Sequence, residues 1–595
     1  MPKKQEKLKM EWDLKKLFYS SPRDPKITKD IATAKRAILL FEKKYKNQKG
    51  YLKNETKLFQ ALEDYTRLYK KALNSKPLYY LDLLLSVESD NTTARALQNK
   101  LGQELTVYEN KILFFTLHLG TISKKQQKIF LASKKLSKYH HFLKQIFAWA
   151  PYDLTEPEEQ IKNLLSTPAY SMWKKGVSKV RSQQMVHFKG KDIPVQEGIN
   201  ILSTLPKTKR RKLWNDIMDL LSKNVGDFAE AEMNALLTYK KTMDDLRGFE
   251  HPYSSRILNN ENTEKEVEAL ARVVTEHYPL SHRFYKLKKK LMKLPDFEYV
   301  DQLASIGTIK KKFTYADALA RTRKAFEHFD PSFRSILDDF VSHGQIDVAP
   351  KKGKSGGAFC ASMYGSPTCV LLNHTPTFRS VTTLAHEMGH AIHAEMSKKQ
   401  LPMEYHAGIA VAEVASTLFE NTVFDDLFET LTEKEKIIAL HDKLNDSMTT
   451  IFRQIAFYTF EVELHGRFRE EGYLSQETMA AMLTKHTQAY LGDAVHMQER
   501  DGNFFIYLSH IRTPFYVYAY TYGELISNAL YTRYKENPAY IKEIKQFLGS
   551  GSSVKPVDMF KSIGIDTTNP SFFVEGLKRI EENITQLEKL VNNKI

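Results

Sequence analysis

Two histidines four residues apart, with a glutamate beside the first, make "TLAHEMGHAIH" (Thr383–His393) the strongest chemical signal in this chain. On a helix, residues i and i+4 stand one turn apart. The imidazoles of His386 and His390 can therefore converge on one ion at the ~2.1 Å of a Zn–N bond. Glu387 is rotated ~100° from His386, so it borders such a site without ligating it. From there it can accept a proton from water activated by the metal. The chain holds 19 histidines, and composition alone would yield an H-E-x-x-H with a chance on the order of 0.03. One zinc ion per chain is the expected cofactor.

A third ligand is expected from "AVAEVASTLFENTVF" (Ala410–Phe424), which predicts a second helix with Val411, Val414, Ala415, Leu418 and Phe419 inward. Glu413 sits among Ala410, Ala412 and Ala415, a poor place for an unpaired carboxylate. Ligation of zinc would satisfy it, and a salt bridge is the alternative. Glu420 lies two turns further along the same face and is expected to accept a hydrogen bond from a ligand imidazole. His393 is expected to support or pack against the site, because a catalytic zinc keeps one position open. His406 has no spacing argument and is expected to be structural.

A second chemical stretch is "SHIRTPFYVYAYTYGEL" (Ser509–Leu525), with His510 and the alternating Tyr516, Tyr518, Tyr520 and Tyr522. Strict alternation fits a strand, while Tyr516 and Tyr520 are also i, i+4 on a helix; periodicity leaves both open. Amide hydrolysis builds negative charge on the carbonyl oxygen, and phenol or imidazole donors aimed there would stabilise it.

These groups need rigid elements behind them. Val381, Leu384, Ala385, Met388 and Ile392 form the apolar back of the histidine helix. Helical periodicity dominates from Ile27 to about Phe147 and again from Val195 to about Leu294. Between them, Met185–Phe188 and Ile193 flank a Lys189-Gly190-Lys191 turn, a hairpin expected to mark a lobe boundary. A second extended region, Ile346–Leu372, predicts a β-hairpin around "GSP" just before the histidine helix. Leu577, Ile580, Ile584, Leu587 and Val591 make a C-terminal helix expected to pack on the body. The fold class is mainly α, with a small hairpin or sheet beside the zinc helix. The division expected is an N-terminal helical lobe over residues 1–190 and a catalytic domain over 191–595.

Composition bounds the rest. At 595 residues with 42% hydrophobic and 27% charged side chains, the chain is a globular one with ample core material. Its net charge of +17 is spread along the sequence, which suits a solvated lysine-rich surface and not a nucleic-acid stripe. No stretch reaches the ~18 apolar residues of a membrane helix, and the charged start is not a secretory signal. Cys360 and Cys369 are the only cysteines, so a reducing cytoplasm is the expected location.

The sequence resembles the M3 family of zinc metallopeptidases, most closely the oligoendopeptidase F group. The resemblance rests on "TLAHEMGHAIH" and "VAEVASTLFEN". It is supported by "WDLKKLF", "HPYSSRILNN", "GQIDVAPKKGKSGGAF", "FRQIAFYTFE", "PFYVYAYTYG" and "FLGSGSSVKP". It implies a mostly helical ellipsoid with a deep channel that admits short unfolded peptides. It implies His386, His390 and Glu413 as zinc ligands, Glu387 as general base, and His510, Tyr516 and Tyr520 as transition-state stabilisers. Because the tyrosine run can be aligned one or two residues either way, Tyr518 and Tyr522 are further candidates at the substrate. The hairpin Phe359–Asn373, with Tyr364 and Gly365 at its turn, would hold the peptide backbone by β-pairing. Short peptides are the only partners implied. The rivals are a zinc carboxypeptidase with the same helix motif and a helical peptide-binding scaffold with an inert metal site.

Overall fold

Helices take up 74% of the chain in the computed structural model, which describes residues 8–592. Along the sequence, strands β1 (Met185–Phe188) and β2 (Lys191–Pro194) precede a 41-residue helix, α1 (Lys207–Arg247). Strands β3 (Ile346–Asp347), β4 (Phe359–Ala361) and β5 (Cys369–Leu371) lead into the histidine helix, α2 (Phe378–Met396). Helices α3 (Ile409–Phe428), α4 (Arg453–Glu471) and α5 (Tyr518–Glu536) follow. Among the described residues, no helix is long and apolar enough to cross a membrane.

The chain divides into two compact units, each built from three segments: residues 1–157, 311–429 and 533–564, and residues 158–310, 430–532 and 565–595. In the first unit, the N-terminal helices bury an aromatic core in which Phe41, Phe114, Phe115 and Tyr139 meet Leu58 and Leu62. A three-stranded sheet in the order β3-β5-β4 forms the floor beneath α2. The expected hairpin is its antiparallel pair, Phe359 opposite Leu371 and Ala361 opposite Cys369, while β3 joins β5 in parallel. Trp12 straps the N-terminus onto this sheet. Its indole N–H is shared by the carbonyls of Gln345 (3.0 Å) and Val370 (2.9 Å), and its backbone N–H donates to Asp347 Oδ2. A buried Lys354–Asp347 pair (2.7 Å) ties down the glycine- and lysine-rich loop that precedes β4.

Helix α2 starts at Thr377, whose hydroxyl accepts from the Ser380 N–H. Val381, Leu384, Ala385, Met388 and Ile392 are all wholly buried, as their 3-4 spacing predicts. Each larger side chain of that face contributes ~1.5–3 kcal/mol by leaving water. Gly389 decides how closely α2 meets α3. A Cβ there would stand 2.7 Å from Ser416 Cα and 2.9 Å from the Ala415 carbonyl, so only glycine permits this approach.

In the second unit, α1 buries Leu213, Trp214, Ile217, Met218 and Leu221 and stops at Gly248, which takes a left-handed conformation (φ 75°). Trp214 donates to Asp501 at 2.6 Å, and Arg210 pairs with buried Asp301 at 2.7 Å. The β1–β2 hairpin lies inside this unit, with Val186 opposite Ile193, and its two-residue turn places Lys189 and Gly190 at positive φ, as a tight hairpin requires. The chain passes from the first unit to the second near Pro157. Leu577, Ile580, Ile584, Leu587 and Val591 of the helix Pro570–Asn592 are buried.

Candidate metal centre

Three donor atoms meet on the open side of α2. His386 Nε2 lies 3.5 Å and His390 Nε2 3.6 Å from Glu413 Oε2. Ligands ~2.1 Å from a tetrahedral ion stand about 3.4 Å apart, so this spacing fits a divalent ion such as zinc. The two imidazoles stand edge to face at 5.2 Å, and the three donors all lie within 4.8 Å of one another. A carboxylate and two imidazoles form a borderline-soft N/N/O set, which suits zinc.

Neighbouring groups orient these donors. Glu420 Oε2 lies 2.9 Å from His386 Nδ1. The contact fixes the ring so that Nε2 is the nitrogen turned toward Glu413 and available to an ion. Ser416 Oγ donates to Glu413 Oε2 at 2.9 Å, and His390 bonds the backbone of Ala412. Burial works against charge on His386, but Glu413 and Glu420 outweigh it and hold the imidazolium form well above its ordinary range. Burial also opposes ionisation of Glu413, yet the two histidines bring its carboxyl down to about 2. His390 is pushed down to about 4 by burial, which keeps it neutral as a ligand must be.

Glu387 lies beside the triad and is nearly buried. Burial, joined by the Glu413 and Glu420 carboxylates, raises its carboxyl to about 7 against the pull of His386 and the Cys360 N–H. The triad and Glu387 line a cleft of ≈ 430 Å³ with Phe359, Cys360, Tyr405 and His406. The side of β4 away from β5 has no partner strand among the described residues.

Homology agrees with this chemistry. The model of peptidase family M3 matches residues 204–579, and a model described as oligopeptidase F matches residues 119–175. The chain belongs to peptidase family M3. It is therefore a metallopeptidase, an enzyme that hydrolyses peptide bonds. This M3 peptidase is 25% identical to oligopeptidase PepF of Bacillus subtilis, over 98% of this chain and 87% of the relative. It is also 25% identical to group B oligopeptidase PepB of Streptococcus agalactiae, over 98% and 97%. A putative peptidase from Chlamydophila abortus shares its fold at a TM-score of 0.81 and 20% identity, over 98% of both chains. The oligoendopeptidase-F of Enterococcus faecium does so at 0.70 and 18%, over 96% of this chain and 98% of its own.

Other residues singled out by the sequence fall in three places in this M3 peptidase. His393 is buried but lines the same cleft as the triad, where its ring packs against Phe547 at 5.2 Å and its Nε2 has no hydrogen-bond partner. Tyr364 and Gly365 line a different cavity, of ≈ 640 Å³, with Phe340, Asp339 and Glu395. The hairpin turn carries them away from the cleft that Phe359 and Cys360 line.

His510, Tyr516 and Tyr520 belong to the second unit and form a cluster there. His510 lies parallel to Tyr516 (4°, 6.0 Å), and Tyr520 stands edge-on to both, at 6.2 and 5.7 Å. The tyrosine run is helical from Tyr518 onward. That helix corrects the expectation for Tyr518 and Tyr522, which it turns into the core, fully buried. The Tyr518 hydroxyl is used up between Asn260 (2.7 Å) and Asn262 (3.0 Å), and Tyr522 packs on Phe573. Three participants carry no sequence signal of their own: Ser416 on Glu413, the Cys360 N–H on Glu387, and His406, which lines the cleft despite being expected as structural.

Proposed function

We propose that this M3 peptidase is a zinc-dependent endopeptidase that hydrolyses short unfolded oligopeptides by attack of activated water. The observation that carries the reading is the convergence of His386, His390 and Glu413 on one point, with Glu387 beside them in a single cleft. These three residues would hold the zinc, which when bound supplies Lewis acidity that acidifies water and polarises a carbonyl. Glu387 takes the proton of the attacking water and returns it to the leaving amine. A carboxyl near 7 is matched to both halves of that transfer at neutral pH. Glu420 keeps the His386 tautomer fixed throughout. His510, Tyr516 and Tyr520 are the proposed hydrogen-bond donors to the developing oxyanion. The unpaired side of β4 is the proposed rail for the substrate backbone.

The preference for short peptides rests on the family resemblance, which implies a deep channel closed to folded substrates. The division into an N-terminal lobe (1–190) and a catalytic domain (191–595) is part of the same proposal. Two unbonded cysteines support a reducing, cytoplasmic setting. The test is cleavage of a quenched short peptide with zinc removed by chelator and then restored, beside a C-terminally amidated peptide and an intact folded protein. Zinc-dependent cleavage of both peptides and sparing of the folded protein is the expected result. Loss of activity on the amidated peptide would favour a carboxypeptidase, and activity indifferent to zinc would refute the proposal.

A further inference from the structure

The loop that carries His510 and Tyr516 is pinned by buried groups that the chemistry itself does not use. Phe515 is wholly buried, and its φ of 58° lies in the left-handed region. A bulky aromatic seldom adopts that conformation, and does so only where its surroundings enforce it. The enforcement is visible. The Phe515 N–H donates to Glu461 Oε1 at 3.0 Å, and one residue earlier the Pro514 carbonyl accepts from Arg256 Nε at 3.1 Å. The Phe515 ring packs on His465 at 4.7 Å.

Glu461 is costly where it stands. It is 0% exposed, and its second carboxyl oxygen has no hydrogen-bond partner. A buried polar atom left unpaired opposes folding, so an apolar side chain would serve this interior position better if packing were its whole purpose. The bond to Phe515 gives the carboxyl a purpose. It fixes the turn immediately before Tyr516 and so sets the parallel stacking of Tyr516 on His510.

We propose that Glu461, seconded by Arg256, is a positioning residue that locks Phe515 in its left-handed turn and thereby holds His510, Tyr516 and Tyr520 in register for oxyanion stabilisation. The inference rests on the assignment of that cluster made under the proposed function. Burial pushes the Glu461 carboxyl up to about 8, so at neutral pH it is mostly an undissociated acid. Glutamine reproduces its shape and its acceptor oxygen.

The test uses the full-length zinc-loaded enzyme and a quenched short peptide. Glu461→Leu and Arg256→Met are expected to lower kcat on the order of 10²-fold, the effect of a misplacement of about 1 Å, with KM within threefold. Glu461→Gln is expected to stay within threefold of the wild type in both. Made in a background carrying His510→Ala, Tyr516→Phe and Tyr520→Phe, Glu461→Leu should add less than threefold, because the groups it positions are already disabled. Zinc content and melting temperature are measured on every variant. Folded, zinc-loaded Glu461→Leu or Arg256→Met at the wild-type kcat would overturn the proposal. So would a Glu461→Gln loss as deep as that of leucine, or a full multiplicative loss when Glu461→Leu is added to the triple-disabled background. Should Glu461→Leu not fold, Arg256→Met and Glu461→Gln still decide. His510→Ala and Tyr520→Phe, measured alongside, separate the two claims. If they leave kcat unchanged, the cluster assignment fails. If they lower it while the positioning variants do not, only the present inference fails.

Discussion

At the scale of single residues, the centre separates holding an ion from moving a proton. Glu387 lies within reach of the triad but is not one of the three donors. Replacing it with glutamine should therefore keep zinc at one per chain and lower kcat by ~10²–10⁴-fold, the usual worth of a general acid–base group. Metal analysis beside peptide turnover checks both halves, and turnover near wild type would remove Glu387 from the mechanism. Glu420 has a different task, since it touches His386 Nδ1 and not the ion site. Glu420→Ala should weaken zinc binding by ~10–100-fold, the typical effect of losing a ligand's orienting partner. Titration against a chelator of known affinity measures this, and unchanged affinity would make the 2.9 Å contact incidental.

At the scale of elements, the meeting of α2 and α3 sets the ligand geometry, and Gly389 sets how they meet. Gly389→Ala places a methyl group 2.7 Å from Ser416 Cα, which the helices can relieve only by moving apart. The expected cost is ~1–3 kcal/mol of stability, together with weaker zinc binding, because Glu413 travels with α3. Denaturant unfolding and metal titration check the pair of effects, and an alanine variant with wild-type values for both would refute it. Much of this element was legible in advance. The apolar spacing of Val381, Leu384, Ala385, Met388 and Ile392 gives helix and facing together, and Glu413 is conspicuous among alanines. The closeness that glycine allows was not legible, because it depends on where another helix lies. The tyrosine run was ambiguous for a related reason. Alternation from Tyr516 to Tyr522 satisfies a strand, yet burial of Tyr518 and Tyr522 on one helical face wins once Asn260 donates to the Tyr518 hydroxyl and Asn262 accepts from it. Phe515 at positive φ has no sequence signature at all.

At the scale of the whole molecule, each unit is stitched from three separated segments, an arrangement that periodicity along the chain cannot reveal because it reports only neighbours. Buried titratable groups in the second unit make global stability depend on pH in a way that can be signed. Burial pushes His441 and His510 down to about 4 and His465 well below its ordinary range. Between pH 4 and 6.5 the unfolded chain binds protons at these positions that the folded chain refuses, so stability rises with pH across that window. His441, brought from 6.5 down to about 4, contributes on the order of 3 kcal/mol. Glu461 acts in the opposite sense. Its folded value of about 8 exceeds that of the unfolded chain, so its contribution declines from about pH 4.5 to 8. Three histidines against one carboxyl leave a net rise up to pH 6.5. Above pH 7, Lys288, which burial brings down to about 7, is charged in the unfolded chain and neutral in the folded one, and its rising term offsets the residual decline from Glu461. Urea unfolding should therefore show a midpoint that climbs from pH 4.5 to 6.5. A His441→Leu variant should climb less steeply over the same interval, since it removes one of the three acid-sensitive groups. A midpoint independent of pH below 6.5, or an undiminished slope in that variant, would show that these imidazoles are not buried neutral in the folded protein.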